Sequence, residues 1–168
     1  MKLNTRSLIL YSLLGTILFA SQVILNFLPN VELVSFLIII YSLVYGKNAQ
    51  VPILVFNMLM GLVYGFGPWL IGYFILWPLL SLMTIILRKF LLEKYLALAI
   101  FSAIYGLIFG FLYAIPYFFV SPSYAITYWI SGIPYDIVHM ISNYFIMLTL
   151  GKIFYNLIKT LNKQYRFN

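Results

Sequence analysis

Residues 132–143 read GIPYDIVHMISN and lie inside the last long apolar run of the chain. Within eight positions they hold Asp136, the sole histidine His139 and Asn143, in a protein with only three acidic residues. On a helix these positions are i, i+3 and i+7, so the three side chains share one face. That face cannot point at hydrocarbon cheaply, because a charge on a lone helix is costly at mid-bilayer. The run therefore reads as a helix whose polar stripe is turned inward against other helices. Pro134 suits a first helical turn, where its missing N–H costs nothing. Asp136 would then sit early in the helix, favourably placed for the dipole.

Composition supports the lipid setting. Of 168 residues, 64% are hydrophobic and 8% charged, and mean hydropathy is +1.04. A soluble domain carries about a quarter charged residues. Too little polar surface exists here to coat a water-soluble globule, and the length suits one membrane domain. With no cysteine, disulfides, iron–sulfur clusters and thiolate metal sites are excluded. The N-terminus, MKLNTRSLILYSLLGTILFASQ, has the look of a signal peptide. Its apolar run continues through Phe27 without an Ala-x-Ala cut, which favours a retained first helix.

Helix-stopping residues divide the chain into six apolar segments, 7–28, 33–46, 51–65, 69–88, 95–119 and 124–158. The breaks are LPNVE, YGKNAQVP, GFGPW, RKFLLEK and VSPS. The expected fold class is an all-α integral membrane protein, a single compact bundle of six transmembrane helices. A span of the ~30 Å hydrocarbon core needs about 20 residues. Segments 2 and 3 are shorter, so they are expected to be tilted, kinked or partly re-entrant and shielded by protein.

Basic residues set the orientation. Lys2 and Arg6 precede segment 1, and Lys47 lies between segments 2 and 3. Arg88, Lys89 and Lys94 lie between segments 4 and 5, while Lys152, Lys159, Lys163 and Arg166 end the chain. Six spans put all ten on one side, which the positive-inside rule makes cytoplasmic, with both termini. The +7 net charge then reports topology and anionic lipid rather than nucleic acid, since no basic stripe interleaves with aromatics in a soluble segment.

The opposite connections carry no basic residue and one acid, Glu32. Asn30 and Asn57 lie beside it, among Tyr64, Trp69, Tyr73, Trp77, Tyr117 and Trp129. Most of these aromatics fit an interfacial belt. The polar residues do not, and a pocket for a small amphipathic ligand needs aromatic walls with a few placed polar groups. Asp136, His139 and Asn143 join this candidate site. Two readings of the triplet stand together: a buried Asp–His hydrogen bond that packs the helix, with Asn143 bonded to a neighbouring backbone, and the polar wall of a ligand site. A proton relay is a third.

Catalysis finds little footing. Asp136 and His139 alone cannot hold a metal, because the other acids are Glu32 and Glu93 and no second His or any Cys exists. Ser131-Gly132 precedes His139 on the same segment, and no G-x-S-x-G elbow occurs. Neither an enzyme nor a cofactor is expected. Small-residue stripes recur at Ser12, Thr16 and Ala20, and at Ser102, Gly106 and Gly110; such stripes let helices approach closely in lipid.

Three stretches carry a family resemblance: LPNVELVSFLIIIYSLVYGKN (28–48), GLVYGFGPWLIGYFILWP (61–78) and YWISGIPYDIVHMISNYF (128–145). With the six spans and the first-helix stripe, the chain resembles the substrate-binding (S) components of energy-coupling factor (ECF) vitamin transporters. S components of this type often read Gly-Ile-Pro-Phe-Asp with His and Asn one and two turns on, and here Tyr135 replaces that Phe. The resemblance implies capture of a vitamin or related micronutrient from outside, in a pocket of the outer loops and the last three spans. It implies association with a transmembrane T component, through Ser12, Thr16 and Ala20, and with two ABC-type ATPases. The chain has no Gly-x-x-x-x-Gly-Lys-Ser/Thr loop of its own.

Glu32 is expected to pair a cationic ring or amine, and the absence of outer basic residues disfavours a strongly anionic ligand. Tyr and Trp favour stacking on a flat group. A neutral or weakly cationic heteroaromatic vitamin fits this composition, and a corrinoid belongs to the same range. The rival classes are a small cell-shape scaffold of the MreD type and a stand-alone proton-coupled carrier, whose inverted repeats are not seen.

Overall fold

A computed structural model describes residues 4–165, so Lys2 and Arg166 lie outside the described residues. Among the described residues every regular element is helical, with no strand: α1 (Thr5–Ile24), α2 (Val34–Tyr45), a 3₁₀ turn (Gly46–Ala49), α3 (Gln50–Tyr64), α4 (Pro68–Ile86), α5 (Arg88–Glu93), α6 (Tyr95–Phe118) and α7 (Pro122–Tyr165). Asn4 caps α1, its side-chain oxygen accepting from the Ser7 N–H at 2.8 Å.

Five helical stretches are long and apolar enough to cross a membrane: Thr5–Ile24, Val34–Tyr64, Pro68–Ile86, Tyr95–Phe118 and Pro122–Tyr165. The second is a hairpin rather than one rod. Tyr11 packs edge-on against Tyr45 with centroids 5.6 Å apart, and Gly15 lies against Pro52 and Val55. Helices α1 and α3 therefore run the same way and pack on each other, while α2 runs antiparallel to both and packs chiefly against α4 and α7. The reversal needs Gly46, whose φ of 57° favours glycine, and Gly65 at φ 89° serves the turn after α3.

The remaining neighbours alternate in direction. Asn57 donates to the Tyr73 carbonyl and Gln50 to that of Pro78, so α3 and α4 are antiparallel. Tyr105 donates to Leu76 and Tyr113 to Trp69, which sets α4 against α6. Asn143 donates to Ser102 and Tyr95 to Met147, which sets α6 against α7. This alternation gathers Arg6, Lys47, Arg88, Lys89, Lys94, Lys152, Lys159 and Lys163 at one end of the bundle. Segments 25–33, 65–67 and 119–121 gather at the other.

Helix α2 explains why segment 2 is short. Eleven of its twelve residues are buried, from Val34 to Tyr45 with Val44 the exception. A helix of this length spans roughly 18 Å. Wrapped by its neighbours, it need not match a hydrocarbon thickness. The outer surface instead carries apolar side chains such as Leu13, Ile17, Leu62, Ile86 and Ile100.

Several element ends differ from the sequence reading. Helix α1 stops at Ile24, because the stretch from Leu25 to Leu33 leaves the helix to fold over the bundle end. RKFLLEK contains a short helix, α5, with Leu91 buried. Pro134 does not start a helix. It lies a dozen residues inside α7, so Asp136 has no helix N-terminus beside it and the dipole argument fails. The missing proline N–H instead leaves the Ile130 carbonyl without its usual helical donor.

Small residues join α6 to α7. A Cβ on Gly106 would stand 2.9 Å from the backbone carbon and oxygen of His139. A Cβ on Gly110 would stand 2.3 Å from Asp136 Oδ2. The Ser102, Gly106, Gly110 stripe is thus an internal seam, facing Asn143, His139 and Asp136 in antiparallel order. Gly106→Val should lower thermal stability in detergent by about 1–3 kcal/mol, because backbone opposes the new atoms. Gly132→Ala, with nothing within 4 Å of the added carbon, should leave stability unchanged or raise it.

Candidate functional site: an aromatic cavity at the end opposite the basic residues

The seam brings α7's polar stripe to the mouth of the bundle. Asp136, His139 and Asn143 are all buried on that stripe, followed by Met147 and Gly151. A cavity of about 580 Å³ opens beside it. Its walls are Trp69 and Tyr73 of α4, Phe109, Gly110, Tyr113 and Tyr117 of α6, and Tyr128, Ser131, Gly132, Tyr135 and Asp136 of α7, with Asn30 from the loop. That volume suits a drug-sized molecule. A second cavity of about 200 Å³ shares Asn30, Tyr73 and Phe109 with the first and reaches Gln22, Asn26, Glu32, Trp77 and His139.

The loop over this end is tied down at three points. His139 Nε2 lies 3.0 Å from Glu32 Oε1. The Ser35 N–H donates to both Glu32 oxygens, at 3.1 and 2.9 Å. Ser142 donates to the Asn30 carbonyl at 3.2 Å, where Asn30 takes a left-handed backbone (φ 56°) that Asn tolerates well. A carboxylate only accepts, so with Glu32 ionised His139 donates from Nε2. His139 Nδ1 is then left buried without a partner.

His139 therefore pairs with Glu32 and not with Asp136. The expected buried Asp–His hydrogen bond does not form: Asp136 Oδ1 accepts the Gly110 N–H at 3.1 Å, and Asp136 Oδ2 has no partner. The reason is register, since the seam presses Asp136 onto the bare Gly110 backbone while His139 reaches the loop. Trp77 Nε1, on the second cavity, is also buried and unpartnered.

The anticipated site residues divide accordingly. Asn30, Trp69, Tyr73, Tyr117 and Asp136 line the larger cavity, and Glu32, Trp77 and His139 the smaller one. Asn57 and Asn143 are buried and line neither; each donates to a backbone carbonyl, of Tyr73 and of Ser102. Tyr64 is exposed on the surface. Trp129 turns away against Phe111, with centroids 5.0 Å apart. The sequence reading left out Phe109, Gly110, Tyr113, Tyr128 and Tyr135 as site residues. The Gly106-Gly110 stripe was the available signal, because the helix face that meets Asp136 also carries Phe109 and Tyr113 beside it.

Among the first-helix stripe, Ser12 and Thr16 are exposed and Ala20 is half-buried, while Gly15 makes the close contact with α3. Among the described residues no group of three metal-ligating side chains comes together.

What stands defined is a class: an all-helical protein with apolar helices of membrane-crossing length and an aromatic cavity under a pinned loop. No protein family, curated protein or solved structure matches the chain.

Burial pushes the Glu32 pKa up, but the bonds to His139 and Ser35 outweigh it and hold the carboxyl below its ordinary value. A folded-state pKa below the unfolded value of about 4.3 gives stability that is complete above that pH. That contribution is lost as pH falls through the folded value. Thermal unfolding in detergent should show this acid-side loss, and Glu32→Gln should remove it from the profile.

Proposed function

We propose that this is a multi-pass protein of a bacterial cell membrane, crossing it six times with both termini in the cytoplasm, that captures a vitamin-like small molecule from outside. In this reading it is the S component of an ECF-type importer. It delivers its ligand by association with a T component and two ABC-type ATPases, which supply ATP hydrolysis; the chain has no reaction of its own. The observation that carries the reading is the larger cavity, walled by tyrosines and tryptophan with a buried carboxylate, at the end opposite the basic residues. The positive-inside rule makes that end extracellular. The cavity has the size and lining of a small-molecule site.

The exposed hydroxyl side of α1, Ser12 and Thr16, is the proposed docking face for the T component. Small residues there allow a partner helix to approach closely.

Mass spectrometry of small molecules released from the purified chain tests the capture. A vitamin-like molecule is expected with the wild type and lost from a folded Trp69→Ala variant. An empty wild-type chain that binds nothing from a vitamin panel and retains no ATPase would favour the scaffold reading instead.

A bulky Thr16→Trp should cut co-purification of the T component and ATPases by about tenfold or more while leaving ligand content unchanged. Loss of ligand together with partner would instead place Thr16 in the fold.

A further inference from the structure

We propose that the molecule taken into the larger cavity is an organic cation, its charge set between the Asp136 carboxylate and the faces of the surrounding tyrosines. This rests on reading the cavity as a capture site and assigns the chemical class of what enters it.

Charge balance is the first ground. Asp136 lines the cavity, is 3% exposed, and spends one oxygen on the Gly110 N–H. Its second oxygen has no hydrogen-bond partner. A buried carboxylate without a counter-charge is costly, and the cost is relieved by a cation or a strong donor. Among the described residues no lysine or arginine lines either cavity. The other acid and the histidine lining them, Glu32 and His139, are already hydrogen-bonded to each other at 3.0 Å. Glu32 was the carboxylate expected to meet a cationic ring; with His139 already on it, the role passes to Asp136.

The walls supply the second ground, independent of the first. Tyr113 and Tyr128 stack with centroids 6.4 Å apart, and Tyr117 lies 5.2 Å from Tyr128. Trp69 and Tyr73 face the same space. Clustered aromatic faces around a carboxylate attract an organic cation through the negative ring face. A hard metal ion would need several oxygen ligands in place of its water. Among the described residues no three His, Asp or Glu side chains come together to supply them.

The test uses the full chain in detergent, stripped of bound molecules, in equilibrium dialysis against protein-free micelles at neutral pH. The probes are N-methylquinolinium and neutral quinoline, which share one ring system. The wild type is expected to bind the cation about tenfold or more tighter than quinoline. Asp136→Asn should erase most of that preference while still binding quinoline. Tyr128 is partly exposed, and substitutions at such positions usually leave the fold intact. Tyr128→Phe should keep the preference and Tyr128→Leu reduce it, which tests the cage even if the Asp136 variant does not fold. Quinoline bound as tightly as the cation by the wild type, or a preference that survives in a folded Asp136→Asn and in Tyr128→Leu, overturns the charge assignment and leaves capture standing. Binding of neither probe overturns both.

Discussion

The contact on which the site depends is the approach of α7 to the bare backbone of α6 at Gly106 and Gly110. At these two positions the facing atoms are the His139 backbone and the Asp136 carboxylate, at distances no Cβ would permit. Lipid gives apolar surfaces no incentive to leave it, so helices associate there through close packing and interhelical hydrogen bonds. The seam uses both, with Asn143 donating to Ser102 and Gly110 to Asp136. Once α7 is seated, His139 reaches the loop and Asp136 reaches the cavity. A wider seam would withdraw both.

The loop from Leu25 to Leu33 closes the structure from the other direction. Besides Leu33, which packs on the core, its hold on the bundle is polar, through Glu32, His139, Ser142 and the start of α2. Each of these bonds satisfies a group that would otherwise be stranded among apolar side chains. The loop is therefore anchored in the bundle at Glu32, while Asn26 to Pro29 stay exposed, and α2 continues directly from it into the core.

Much of this was legible in the sequence for physical reasons. Apolar runs of spanning length can only be helices in lipid, because every backbone polar group must be satisfied within the segment. The i, i+3, i+7 spacing placed Asp136, His139 and Asn143 on one face, and they lie there buried. Partners were harder to see. Glu32 and His139 are 107 residues apart, and no local pattern announces a bond between them. Asn57 and Tyr64 looked equivalent as polar or aromatic residues near one end, yet one is buried and the other exposed, a matter of helix rotation. Pro134 read as a helix start because nothing local shows that a neighbouring helix supports the turn before it.

The length of α7 has a mechanical consequence. Its forty-four residues form one helical element from the aromatic cavity to the basic end. From Asp136 to Lys163 the axis covers roughly 40 Å. A tilt of about 5° pivoting at the cavity would swing the far end by about 3.5 Å over that length. Asp136 at the cavity and Lys152, Lys159 and Lys163 at the basic end thus stand on one continuous helix, which couples the two ends through a single rigid element.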